Sequence, residues 1–111
     1  MRIIAGRFGG QYVDTRPGGS LRPTGERMRE SIFSALGDDF GGLEVLDLFA
    51  GSGTLGFECL SRGADHVTFV ERKRRRCDNL DEQAREWDVR DLCNVVCGDV
   101  GVWLRGLEGN P

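Results

Sequence analysis

The sequence predicts an α/β protein in which a β-ribbon and a helix precede an incomplete doubly wound parallel sheet. Two observations predict this class. From residue 43 onward, three strand-like segments alternate with three helical segments, which is the pattern of consecutive βα units. A glycine-rich segment, residues 51–56, joins the first strand to its helix. With 111 residues, of which 39% are hydrophobic and 30% charged, the chain can bury one core and not two.

The first 36 residues predict a small extension. Strand-like segments at 2–5 and 11–15 flank Gly9-Gly10, which predicts a β-ribbon. After a loop, Thr24 is the predicted N-cap of a helix that ends at Leu36. This extension has six arginines and three acidic residues, so its net charge is +3. Because the whole chain has a net charge of -3, the remaining residues together carry a charge of −6. A basic extension on an acidic body is typical of a local contact with an anionic partner, and on charge alone a few solvated arginines explain it equally well.

The three βα units follow in order. We expect strands at Glu44–Phe49, His66–Glu71 and Asn94–Cys97, and helices at Thr54–Arg62, Arg72–Trp87 and Val100–Leu107. Because the first strand of such a sheet is ordinarily flanked on both sides, three strands indicate an incomplete domain.

Several classes of protein are excluded. The longest apolar runs fall far short of the roughly 20 residues of a membrane span, and the N-terminus lacks a secretory signal, so we expect a cytoplasmic protein without membrane contact. The four cysteines show no C-x-x-C spacing and the chain has one histidine, so we expect reduced thiols and no metal site.

The glycine-rich segment predicts a nucleoside-binding loop. Gly51, Gly53 and Gly56 satisfy G-x-G-x-x-G, and Glu71 lies 20 residues after Gly51 at the end of the next strand. Such glycines let the backbone approach a ligand, and the acid accepts hydrogen bonds from ribose hydroxyls. Asp47, in an otherwise apolar strand, favours a ligand that carries an ammonium group. S-adenosylmethionine is therefore the predicted cofactor, and a fragment that binds NAD is the less favoured alternative.

A set of motifs in this order resembles the RsmD family of class I, S-adenosylmethionine-dependent methyltransferases. The motifs are Met1–Gly6, Leu21–Thr24, Arg27–Glu30, Val45–Gly53, Leu60–Ala64 and Phe69–Arg72. The family methylates the exocyclic N2 of a guanine in bacterial 16S ribosomal RNA. The resemblance implies that residues 37–111 are the first half of a Rossmann-like domain that binds the cofactor, and that residues 1–36 face RNA.

The resemblance also implies site residues. The methionine side of the cofactor would lie against the loop after the first strand, and the ribose and adenine against the loops after the second and third strands. The implied cofactor-binding residues are Asp47, Phe49, Ala50, Gly51, Gly53, Glu71, Arg72, Asp99 and Val100. Asp99 is equally a candidate N-cap of the last helix. The implied RNA contacts are Arg2, Arg7, Arg22, Thr24, Arg27 and Arg29. The basic run 72–76 is predicted to be a solvated helix surface rather than a nucleic-acid patch, because acidic residues follow it.

No catalytic residue is predicted in this chain. In the family, an Asp/Asn-Pro-Pro-Tyr/Phe motif after the fourth strand holds the acceptor base, and this sequence ends before that place. Asn110-Pro111 follows no apolar strand and is predicted to be a turn. We therefore expect a fragment that is inactive alone, completed by further C-terminal residues or another chain, with ribosomal RNA or the small ribosomal subunit as partner. The alternatives are a non-catalytic S-adenosylmethionine- or RNA-binding module and a DNA methyltransferase.

Overall fold

A computed structural model describes residues 2–13, 23–37, 39–48 and 50–108, with the backbone alone for 23–28 and 108. The helices are α1 (Pro23–Leu36), α2 (Thr54–Ser61), α3 (Arg74–Glu86) and α4 (Val100–Glu108). The strands are β1 (Glu44–Asp47), β2 (His66–Glu71) and β3 (Cys93–Cys97), and a short 3₁₀ helix, Arg90–Leu92, precedes β3. None of the helices in the described ranges is both long and apolar enough to cross a bilayer.

The three strands form one parallel sheet in the order β1-β2-β3. The register pairs Val45 with Val67 and Phe69 with Val95, so β2 lies between the other two strands. Accordingly Val67, Phe69 and Val70 of β2 are fully buried. The predicted α/β class with consecutive βα units is confirmed.

Aromatic rings fill the space between the sheet and the elements that pack on it. The ring centroids of Phe57 on α2 and Phe69 on β2 are 4.9 Å apart, and Trp87 stacks on Phe8 at 4.5 Å. Gly56 allows α2 to approach the sheet this closely, because a Cβ there would overlap the Phe69 ring. This is the packing role that the third glycine of the motif has in Rossmann-like folds.

The N-terminal residues pack into the same core. In place of the two predicted strands, the described residues form one isolated antiparallel bridge between Arg2 and Tyr12, and the Ile3 N–H donates to the Gln11 carbonyl at 2.8 Å. Ile3 and Phe8 are buried together with the residues of α2 and β2. The extension of residues 1–36 therefore contributes to the core of the βα units.

Several predicted boundaries differ from the observed ones by one or two residues. The helix α1 begins at Pro23, so Thr24 lies in its first turn and is not the N-cap; proline suits this position because its φ is fixed and its missing N–H costs nothing there. Strand β1 ends at Asp47, and the predicted last residue, Phe49, is outside the described residues. Helix α3 begins at Arg74 because Lys73 is extended, with φ −83° and ψ 120°.

Candidate cofactor-binding site

The loop between β1 and α2 depends on two glycines with left-handed backbone. Gly51 has a φ of 57° and Gly53 a φ of 81°. Gly53 is the N-cap of α2, and its N–H donates to the Ala50 carbonyl at 2.7 Å. A Cβ at Gly53 would overlap Leu80 of α3, whereas a Cβ at Gly51 would meet open space. The loop is therefore fixed by packing at Gly53 and open at Gly51.

Glu71, the last residue of β2, fastens this loop to the turn that follows β2. Its side chain is buried, with 7% of the residue exposed. One carboxylate oxygen, Oε1, accepts a hydrogen bond from the Gly51 N–H at 3.0 Å, and Oε2 accepts one from the Lys73 N–H at 2.6 Å. Each carboxylate oxygen can accept a second hydrogen bond. The carboxylate is thus held by the backbone and still able to accept bonds from ligand hydroxyls.

A cavity of about 680 Å³ opens beside Glu71, at the carboxyl ends of the strands. Parallel sheets of this type bind their ligands at that edge, and the volume is typical of a small-molecule site. Its lining residues come from the loop after β1, the turn after β2 and the start of α4: Leu48, Gly51, Val70, Glu71, Arg72, Lys73, Arg76, Asp99, Val100 and Gly101. Among them are the predicted cofactor residues Gly51, Glu71, Arg72, Asp99 and Val100.

Three other predicted cofactor residues, Ala50, Gly53 and Asp47, do not line this cavity. Ala50 is buried and supports the loop, since its N–H donates to the Val70 carbonyl at 3.2 Å. Gly53 packs against α3 as described above. Asp47 is half-buried in β1. Burial of the neighbouring Cys59 thiol, reinforced by the negative charge of Asp47, raises the pKa of that thiol to about 11. Phe49 lies outside the described residues.

Asp99 has a cap role and a place in the cavity. Its Oδ1 accepts a hydrogen bond from the Val102 N–H at 3.0 Å, which caps α4. The same residue lines the cavity together with Glu71. The cap fixes the orientation of the carboxylate, so a ligand would meet a preorganised acceptor.

The residues implied to contact RNA fall into three groups. Arg2 and Arg7 are exposed, and the Arg7 guanidinium lies over the Phe8 ring at 4.9 Å. The prediction that Arg29 contacts RNA does not fit the structure. Arg29 is only 4% exposed, and its guanidinium donates to the Arg2 carbonyl at 2.6 Å. It fastens the N-terminal segment to α1 and does not present its charge to a polyanion. Arg22 lies outside the described residues, as do the side chains of Thr24 and Arg27.

Sequence reasoning missed three residues around Glu71. Lys73 and Arg76 line the cavity, and their spacing of three along the chain was the available signal. The Cys77 thiol donates to the Glu71 carbonyl at 3.2 Å. Burial, with a further contribution from the neighbouring Cys97 thiol, raises the pKa of Cys77 to about 12, so this thiol stays protonated as a donor. Within the described ranges, no cluster of side chains could hold a metal ion.

Comparisons with known proteins identify the relatives of this chain. The family model described as Conserved hypothetical protein 95 matches residues 1–109. The Bacillus subtilis protein YlbH is 50% identical over 99 residues, which are 89% of this chain and 54% of YlbH. The ribosomal RNA small subunit methyltransferase D of Escherichia coli (strain K12) is 42% identical over 102 residues, covering 92% of this chain and 48% of that protein.

A solved structure shows the same fold. The structure of the Escherichia coli protein yhhF superposes with a TM-score of 0.83 at 30% identity, covering 94% of this chain and 55% of that one. The fold is therefore that of class I methyltransferases. The chain spans about half the length of the curated relatives it matches.

Proposed function

Because the chain belongs to the RsmD family, we propose that it binds S-adenosylmethionine in the cavity beside Glu71 and serves methylation of a guanine N2 in small-subunit ribosomal RNA. The bound cofactor would supply the electrophilic methyl group. The relatives' names support the RNA substrate, and the cavity supports the cofactor.

The observation that carries the cofactor proposal is the double anchoring of Glu71. A carboxylate that already accepts from the Gly51 and Lys73 N–H groups at 3.0 and 2.6 Å cannot swing away. Its remaining acceptor positions suit the two vicinal hydroxyls of a ribose. Such preorganisation lowers the entropic cost of binding.

The loop fits the rest of the cofactor. Gly51 lines the cavity, and a Cβ at this position would have nothing within 4 Å, so a ligand can lie against its bare backbone. Asp99, held by its cap bond to Val102, offers an acceptor for the adenine amino group. Asp47 does not line the cavity, but its negative charge in the strand that leads to the loop would favour a ligand with an ammonium group over one with a pyrophosphate.

Among the described residues that line the cavity, none supplies the groups that the acceptor chemistry requires. Methylation of an exocyclic amine needs groups that orient the amine and stack on an extruded base. The Asp/Asn-Pro-Pro-Tyr/Phe motif does not occur in the 111-residue sequence. The proposed role of this chain is therefore to hold the cofactor, with no turnover by the chain alone.

Calorimetric titration with S-adenosylhomocysteine tests the cofactor site. Glu71→Gln is expected to weaken binding by about 10- to 100-fold, because a hydrogen bond to a charged group contributes roughly 1.5–3 kcal/mol. Glu86→Gln is the matched control, since it removes an exposed carboxylate of α3 that does not line the cavity. Equal affinity of both variants, or binding of NAD in preference to S-adenosylhomocysteine, would contradict the proposal.

A further inference from the structure

Two cysteines that have no part in the proposed function lie behind the cofactor cavity. Cys77 is near the start of α3, and Cys97 is the last residue of β3. The register of the sheet places Cys97 opposite Glu71, and the Cys77 thiol donates to the Glu71 carbonyl at 3.2 Å. The Cys97 thiol lies 4.0 Å from the next carbonyl, that of Arg72. The two thiols therefore contact adjacent carbonyls at the end of β2 and are neighbours of each other.

The two thiols differ in their access to solvent. Cys97 is exposed, whereas Cys77 is buried, with 4% of the residue exposed. An oxidant in solution therefore reaches Cys97 first. Burial, with a contribution from the neighbouring Cys97 thiol, raises the pKa of Cys77 to about 12, so Cys77 is a slow nucleophile and does not react first. An accessible thiol next to a second one is the arrangement of a reacting and a resolving cysteine.

The backbone of Glu71 connects this pair of thiols to the cavity. The Glu71 carbonyl accepts one hydrogen bond from the Cys77 thiol at 3.2 Å and another, at 2.9 Å, from the N–H of Gly98, the residue after Cys97. The carboxylate of the same Glu71 lines the cavity, and so does Asp99, which follows Gly98. A change at the two thiols therefore acts directly on the backbone that supports both acidic side chains.

We propose that Cys77 and Cys97 form a reversible disulfide by exchange with a low-molecular-weight disulfide, and that this bond lowers the affinity of the cavity for the cofactor, an effect that rests on the proposed function. The Cys97 thiolate attacks one sulfur of the small disulfide, forms a mixed disulfide and releases one small thiolate. Cys77 then attacks the Cys97 sulfur and releases the second, and the two protein thiol protons pass to the released thiolates. The protein is oxidised by two electrons, and the small disulfide is reduced by two.

Closing this bond should change the shape of the cavity. The two sulfurs of a disulfide are about 2.05 Å apart, well inside the distance between two thiols in van der Waals contact. The start of α3 and the end of β3 must therefore approach each other by more than about 1 Å. Oxidised Cys77 also has no proton to donate to the Glu71 carbonyl. Because a binding site must be held to about 0.5 Å, we expect the oxidised chain to bind the cofactor about 10-fold more weakly.

Mass spectrometry and calorimetry on the same samples test the proposal. After incubation with oxidised glutathione, the parent chain should lose the mass of two hydrogens and yield a peptide pair that links Cys77 to Cys97. Its affinity for S-adenosylhomocysteine should fall about 10-fold and return when dithiothreitol is added. The double variant Cys59→Ala/Cys93→Ala, in which the pair are the only thiols, should respond in the same way. Cys97→Ser, which replaces an exposed side chain, should form no disulfide within the chain and keep its affinity within about 3-fold.

Three outcomes would overturn the proposal. A glutathione adduct that persists on Cys97 would show that Cys77 does not reach it, and a disulfide between two chains would show that Cys97 reacts only with other molecules. Unchanged affinity for S-adenosylhomocysteine in a chain that is fully cross-linked between Cys77 and Cys97 would show that the bond does not act on the cavity.

The cofactor proposal fails or survives separately. A chain that forms the disulfide but binds no S-adenosylhomocysteine when reduced would support the disulfide and contradict the cofactor site. Binding of S-adenosylhomocysteine that Glu71→Gln weakens, in a chain that forms no disulfide within itself, would do the reverse.

Discussion

At the scale of single residues, the two glycines of the loop have different functions. Both have a left-handed backbone, at φ 57° for Gly51 and 81° for Gly53. Only at Gly53 does the surrounding structure also exclude a side chain, since a Cβ would overlap Leu80 and approach the Phe57 ring. Gly51 is needed for its conformation and for access to the cavity, whereas Gly53 is needed for packing between α2 and α3.

This difference predicts unequal stabilities for two alanine variants. Gly51→Ala should lower the free energy of unfolding by about 1–2 kcal/mol, the cost of a left-handed residue with a Cβ. Gly53→Ala should cost about 1–3 kcal/mol more, because overpacking adds to the same conformational cost. Urea unfolding followed by circular dichroism measures both, with the parent chain as reference. Equal losses would show that the contact with Leu80 does not constrain the loop.

At the scale of elements, α2 connects the cofactor loop to the N-terminal extension. It begins directly after Gly53, and its second half holds the extension in place. Fully buried Glu58 accepts from the Ile4 and Ala5 N–H groups at 2.8 and 3.2 Å and pairs with Arg62 at 3.0 Å. The Ser61 hydroxyl donates to the Ala5 carbonyl. One helix therefore positions both the loop and the extension proposed to face RNA.

Removing the Glu58 carboxylate should loosen the attachment of the extension to α2. Glu58→Ala leaves the Arg62 guanidinium buried without this partner, and breaking a buried pair costs about 3–5 kcal/mol. Glu58→Gln keeps an acceptor and should cost less. Hydrogen exchange at the Ile4 and Ala5 amides, measured in Glu58→Gln, should be faster than in the parent chain, while Glu86→Gln leaves it unchanged. Unaltered exchange in Glu58→Gln would mean that the Glu58 carboxylate does not hold the extension, which would then depend on the hydrogen bonds of Ser61 and on apolar contacts.

The elements were more predictable than their ends or their charged residues. Alternating apolar segments with glycines between them predicted every strand and helix of the βα units, because burial imposes that pattern. The start of α3 was predicted at Arg72, since polar residues at a helix end have no apolar periodicity to mark the boundary. The same lack of pattern hid Lys73 and Arg76. Charge alone likewise did not reveal that Arg29 is buried against the carbonyl of Arg2.

At the scale of the whole molecule, thiols are distributed through the interior. Cys59, Cys77 and Cys93 are buried on α2, α3 and β3, and none of the four cysteines forms a disulfide in the structure. Burial, reinforced by Asp47 and Glu58, raises the pKa of Cys59 from 9.0 to about 11. Burial likewise raises the pKa of Cys93 to about 11. The folded state therefore opposes ionisation of these thiols, which are free to ionise when the chain unfolds.

Alkaline pH should consequently destabilise the fold. Below pH 9.0 both states keep the thiol protons, and the stability is fully present. Between the unfolded value of 9.0 and the folded value of about 11, the unfolded chain releases protons that the folded chain retains, so the free energy of unfolding falls as pH rises. The loss should be on the order of 2–3 kcal/mol for each thiol. Urea unfolding across this range measures it. The double variant Cys59→Ala/Cys93→Ala should be less stable at neutral pH, but its free energy of unfolding should fall less steeply as pH rises. A fall as steep as that of the parent chain would assign the alkaline sensitivity to other groups.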